Sequence, residues 1–295
     1  LIWVPAVRRA VPALAGRWRP VWRGNRPLLT FGAWVALANA ANPLLRYLDR
    51  LALGGVSLSA VALYAAPQEI ISRLSLIPAI IMPPVFAASS AAQAAAPGAV
   101  TRLASATLRL LLVVLVPLAC ALWLLATPGL AWWLGAEFAG AGAVVVPLLL
   151  VSAVASGVAQ LPGALLQAHG RPDVHARLQL IEVPFYGVAL WVLISRYGLA
   201  GAALATALRA VADALALWVL AWRVQPDVIG PALRAGVARA LPALLVVTGI
   251  TWVAFRVTEG LAARLAAAVL LGLIGTGLAW YTALTPDERT RLGAA

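Results

Sequence analysis

Apolar residues run through this chain in long blocks, parted by short stretches in which Arg, Gly and Pro gather. A hydrocarbon core of roughly 30 Å takes about 20 helical residues to cross. By that measure the pattern predicts eight spans: residues 28–53, 59–92, 103–125, 139–168, 178–194, 199–222, 241–255 and 265–284. The fold class expected is all-α, a polytopic transmembrane helical bundle, because a helix satisfies its own backbone groups in lipid. The chain divides into a basic connector (1–27), six spans (28–222), and a second connector with two more spans and a short polar tail (223–295).

Punctuation refines the pattern. The second span is longer than a crossing needs and holds Pro78, Pro83 and Pro84, so a kink or unwound turn is expected towards its cytoplasmic half. After the third span comes an aromatic turn, TPGLAWWLGAEF, whose Trp132 and Trp133 mark an interface. Gly170 and Pro172 break the chain after the fourth. In the sixth, Gly201 with Ala205 and Ala202 with Thr206 are overlapping small-xxx-small pairs, suited to close helix approach. Leu1 stands where no signal-peptide pattern is seen, which reads as the tail of a preceding span with more chain before it.

Composition removes other classes. The chain is 63% hydrophobic and 11% charged, with a mean hydropathy of +0.94, too little charge to cover a water-soluble surface. The net charge of +12 would suggest nucleic acid in a soluble protein, but here it follows from loop arginines, and no nucleic-acid partner is expected. All 22 basic residues are Arg. Fourteen fall in loops on the side of residues 1–27, three on the other side and five within spans, so both ends are expected in the cytoplasm of a bacterial plasma membrane. Cys120 is the single cysteine, lying inside an apolar run. His169, Asp173 and His175 read as members of a solvated loop, where nothing fixes the geometry of a metal site.

Five positions near the first two spans carry the candidate chemistry. Arg46, Asp49 and Arg50 share one helix face at i, i+3 and i+4, about 27 Å along a helix that starts near residue 28. They read either as an interfacial cluster with an internal ion pair and snorkelling arginines, or as the rim of a substrate cavity. Glu69 and Arg73 stand at i, i+4 mid-span, in the order that favours an intrahelical pair. They are either a mutually neutralised structural pair, or a site where Arg73 meets an anionic group such as a lipid diphosphate. The second reading is the sharper, because guanidinium presents a planar fork of donors to phosphate oxygens. Arg209 and Asp213 repeat the spacing in the sixth span, as a structural pair or a coupling or gating pair. Glu182 and Arg109 are expected at the cytoplasmic interface. No phosphate-binding loop, nucleophile–base set or zinc signature occurs, so neither a cofactor nor catalytic residues are expected. Any driving force would come from an ion gradient, the membrane potential or the substrate's own gradient.

The succession RPLLTFGAWVALANAANPLLRYLDRLALG, LYAAPQEIISRLSLIPAIIMPPVFAASS, WLGAEFAGAGAVVVPLLL and LLQAHGRPDVHARLQLIEVPFYGVALWVLISRYGLAGAALATAL resembles the C-terminal half of Wzx-type polysaccharide flippases, within the MOP (multidrug/oligosaccharidyl-lipid/polysaccharide) exporters. The resemblance implies a MATE-like C-terminal lobe of six helices plus two extra ones, facing a second lobe across a central cavity. It implies alternating access that moves a polyprenyl-diphosphate-linked oligosaccharide outward. The substrate would then be a lipid-linked glycan in contact with membrane lipids, and a polysaccharide polymerase or other assembly proteins would be partners. The family's second lobe helix supplies cavity cations, which maps onto Arg73, and its Asp-Arg corresponds to Asp49 and Arg50. The alternatives are a drug/cation antiporter of the same superfamily, a polyprenyl-linked glycosyltransferase, and a purely structural membrane subunit. Cationic drugs would call for cavity carboxylates, and glycosyltransferases for a larger acidic external segment.

Overall fold

The computed structural model describes residues 26–95, 98–258 and 260–283. The basic connector up to residue 25, Pro97, Glu259 and the polar tail lie outside the described residues. The described elements are α1 (Arg26–Gly54), α2 (Leu58–Ser72), a 3-10 turn (Arg73–Ser75), α3 (Leu76–Ala95), α4 (Ala99–Leu134), α5 (Ala136–Ala168), α6 (Pro172–Val224), α7 (Pro226–Val257) and α8 (Leu261–Ala283). Among the described residues every regular element is a helix.

Five helical stretches are long and apolar enough to cross a membrane: Leu58–Ala91 across α2 and α3, then α4, α5, α6 and α7. Their outward faces are apolar too. Trp191 is 75% exposed, Phe185 72% and Ile80 74%, which suits hydrocarbon and not water. With helices of this length and such faces, the chain is an all-α, multi-pass membrane protein.

At 53 residues α6 would reach about 80 Å if straight, far more than one crossing. It folds back at Gly198, whose φ of 56° and ψ of −128° lie outside the helical region and are open to glycine. The hairpin is proved by its contacts: Tyr186 Oη is 2.9 Å from Thr206 Oγ1, and Arg209 is 3.5 Å from Glu182. Gly201 closes the hairpin, since a Cβ there would collide with the Leu193 carbonyl. The small residues at 201–206 therefore pack against the preceding arm, as the expected fifth and sixth spans require.

The break in the second span falls at Arg73–Ser75, just before Pro78. The Pro78 ring lacks the N–H that would bond to Leu74 and crowds that carbonyl, so the helix tightens one turn upstream. Pro83 and Pro84 are carried inside α3 without a break. The aromatic turn expected after the third span is instead helical through Leu134. Only Gly135, at φ 97°, reverses the chain. Likewise the basic connector expected up to residue 239 is helical from Pro226, a residue suited to the first helical position.

Helix α4 is the packing centre, touching α3, α5, α7 and α8. Ala104, Leu108, Leu111 and Leu115 form a buried stripe at i, i+4, i+7 and i+11. Gly236 of α7 comes so near that a Cβ there would lie 2.9 Å from Leu108 Cδ2, and small residues at such crossings let apolar helices interlock. Helix α5 joins this core to α2, α3 and α6, and α1 lies against α6.

Candidate functional site

Between α1, α2, α3, α5 and α6 lies a cavity of about 1060 Å³. Its walls carry Arg46, Asp49, Arg50, Glu69, His175, Glu182, Arg209 and Asp213. That concentration of charge within an apolar bundle is tolerable only where polar partners or water are at hand.

At one end the carboxylate of Asp49 is 1% exposed and fully engaged. Its Oδ2 accepts from Tyr64 Oη at 2.8 Å, Gln68 Nε2 at 2.7 Å and Thr206 Oγ1 at 3.5 Å. Oδ1 accepts from the backbone N–H of Arg50 at 2.8 Å. Thr206 in turn lies 3.0 Å from Tyr64 Oη and 2.9 Å from Tyr186 Oη. These bonds tie α1 to α2 and to both arms of α6. The expected ion pair between Asp49 and a neighbouring arginine is not formed among the described residues. Asp49 turns into the core, while Arg50, a step of about 100° further round the helix, turns to α2.

Arg50 donates through Nε to Gln68 Oε1 at 2.6 Å, approaches Glu69 at 3.5 Å and lies over the Tyr47 ring. Glu69 also receives Arg73 at 3.1 Å, so the predicted i, i+4 pair is present and shared with a third residue. The Arg73 side chain is 70% exposed and stands outside the cavity wall. Arg46 does line the cavity, and it makes no ion pair or hydrogen bond with another described residue. The cation open to the cavity at this end is therefore Arg46.

At the other end the α6 hairpin gathers a second cluster. Arg209 pairs with Glu182 at 3.5 Å and lies over the Tyr186 ring at 5.2 Å, in place of the expected pair with Asp213. Asp213 sits beside Glu182 and His175. The cause is tertiary: the fold at Gly198 brings residue 182 across from residue 209. Glu182, expected at the interface, has only 12% of its side chain exposed. Arg109 is also buried, at 8%. His175, expected in a solvated loop, is on α6 facing α5, where a Cβ at Gly163 would lie 3.2 Å from its Nδ1. Asp173 keeps to the helix start, paired with Arg171 and Arg177.

This second cluster is poorly satisfied. His175 Nδ1, Gln179 Oε1, Glu182 Oε2, Arg209 Nε and Asp213 Oδ1 are buried without a hydrogen-bond partner among the described residues. Glu182 Oε2 faces Arg209 in the ion pair, and each of the other four atoms carries a desolvation cost of about 1–3 kcal/mol. Among the described residues no three His, Cys, Asp or Glu side chains assemble as a metal site.

Sequence reasoning placed the arginines and acids but missed Tyr64, Gln68, Gln179 and Thr206. A helical count would have found some of them. Tyr64 and Gln68 stand at i, i+4, as do His175 and Gln179, so each pair shares a face. Nothing in the spacing brings Thr206 to Asp49, 157 residues away.

Fold and site together define a multi-pass helical membrane protein with a charged internal cavity. Residues 6–143 match the family described as "Polysaccharide biosynthesis protein". Over 191 residues the chain is 28% identical to the "Putative O-antigen transporter" of Shigella flexneri. That match covers 64% of this chain and 45% of the relative, so the chain spans less than half the length of the curated relative it matches. Both findings support the resemblance to the Wzx-type polysaccharide flippase family.

Proposed function

We propose that this chain forms part of a flippase that moves lipid-linked oligosaccharide, carried on a polyprenyl diphosphate, across the bacterial plasma membrane by alternating access. The observation that carries the reading is the charged cavity with Arg46 open to it, enclosed in an otherwise apolar bundle. A guanidinium with no ion pair or hydrogen bond among the described residues is suited to an anionic diphosphate. The relative described as an O-antigen transporter points the same way. The antiporter reading needs free carboxylates, and of the four that line the cavity three are held, Asp49 by neutral donors, Glu69 by two arginines and Glu182 by Arg209. That leaves Asp213, which has no ion pair among the described residues.

In this reading Arg46 contacts the diphosphate and Arg50, with Glu69, shapes the rim. Asp49 is the structural tie beneath them, Arg73 lies outside, and Arg209 with Asp213 couples or gates. The arginine-rich loops face the cytoplasm, as do both ends of this chain. Lipids surround the bundle, and a polysaccharide polymerase or other assembly proteins receive the product.

The test is glycan translocation by the full-length natural protein in cells lacking their own flippase, at matched membrane abundance. Arg46→Ala should lower translocation about tenfold or more, the cost of a lost charge-assisted hydrogen bond. Arg46→Lys should restore part of it, and Arg73→Ala should stay near wild type. If the unmodified protein restores nothing, the flippase reading fails.

A further inference from the structure

Helix α5 is apolar apart from Glu137 in its first turn and four uncharged polar side chains, Ser152, Ser156, Gln160 and Gln167. All four line the cavity. The first three stand at i, i+4 and i+8 and so share one face. From Ser152 to Gln167 the stripe extends about 22 Å along the helix. None of the four hydrogen-bonds to another described residue. The hydroxyls of Ser72 and Ser75 across the cavity behave differently, Ser72 donating to the Glu69 carbonyl and Ser75 to the Ser72 carbonyl. Near the stripe, on the facing arm of α6, Gln179 is 5% exposed and its Oε1 is buried without a hydrogen-bond partner among the described residues.

This wall therefore presents groups that both donate and accept hydrogen bonds and carry no charge. Sugar hydroxyls have the same character, and a diphosphate does not. At about 1060 Å³ the cavity is at the top of the roughly 300–1,000 Å³ range of small-molecule sites, which leaves room for more than one sugar ring. We propose that the α5 stripe, with Gln179, is a glycan-binding wall that holds the neutral sugar units by hydrogen bonds while Arg46 holds the diphosphate. The proposal rests on the flippase reading and adds a division of labour to it: one wall reads the glycan, the other the carrier.

The test compares two probes in proteoliposomes containing the full-length protein, bare polyprenyl diphosphate and the same carrier bearing a neutral trisaccharide. Gln160→Leu should raise the half-saturating concentration for the trisaccharide carrier roughly two- to tenfold, the value of one neutral hydrogen bond. It should leave the bare carrier near wild type, and adding Ser156→Ala should deepen the selective loss. Gln160→Asn, which keeps the amide, should recover part of it and guards against a folding defect. Arg46→Gln should weaken both probes alike. Equal losses on both probes in Gln160→Leu, the result for a wall that merely wets the cavity, would overturn the proposal, as would no loss on either. A wild-type protein that moves neither probe overturns the flippase reading and this one together. A wild type active on both, with non-selective variants, overturns the glycan wall alone.

Discussion

The two ends of the cavity hold similar groups in opposite states. At the α1–α2 end, Asp49 is buried with both oxygens engaged by donors from α1, α2 and α6. At the α6 hairpin, Glu182, Arg209 and Asp213 are packed together; Glu182 and Arg209 form an ion pair, while Arg209 Nε and Asp213 Oδ1 have no hydrogen-bond partner among the described residues. A buried carboxylate that accepts three or four hydrogen bonds stiffens the fold around it. A buried cluster with unmatched atoms is destabilising as it stands, and such costs concentrate at functional positions. One end thus holds the helices in place, and in the proposed transport cycle the other is the end free to rearrange around water or a ligand.

Removing Asp49 should give the largest effect. Asp49→Ala strands the donors of Tyr64 and Gln68 and unties α1 from α2 and α6, at a cost on the order of 3 kcal/mol. A melt of the purified protein in detergent should show a drop of several degrees, with less protein reaching the membrane. A melting temperature equal to wild type would break the contrast between the two ends.

The next effect is at the hairpin. Arg209→Met removes the cation beside Glu182 and leaves two carboxylates facing each other, at about 2 kcal/mol for a pair that is still partly exposed. The double substitution Arg209→Met with Glu182→Gln should recover most of that stability but not translocation. Recovery of both would make the cluster structural and erase the distinction.

The smallest change in stability is expected for Asp213→Asn, whose carboxylate Oδ1 has no hydrogen-bond partner among the described residues. Its melt should match wild type or rise slightly, while translocation falls. Unchanged translocation would show that the unmatched group has no part in the cycle.

Much of this was legible along the chain. The eight apolar stretches correspond to α1, α2 with α3, α4, α5, the two arms of α6, α7 and α8. The Glu69–Arg73 pair formed as its spacing predicted, because both partners sit on one helix. What failed were relations between helices. Arg209 was assigned to Asp213, four residues on, and found Glu182, twenty-seven residues back. Arg73 looked central to a span by count, and it stands at the start of the 3-10 turn, outside the cavity wall.

The sequence by itself therefore determined the class, the helices and which residues carry charge within them, since hydrophobic length and composition are local properties of a chain in lipid. Only the tertiary structure decided that Asp49 is satisfied, that Arg46 is open, and that the polar side chains of α5 beyond its first turn meet one cavity. Those outcomes depend on the fold at Gly198 and on the rotation of each helix against its neighbours. A periodic pattern with apolar residues on nearly every face does not specify that rotation.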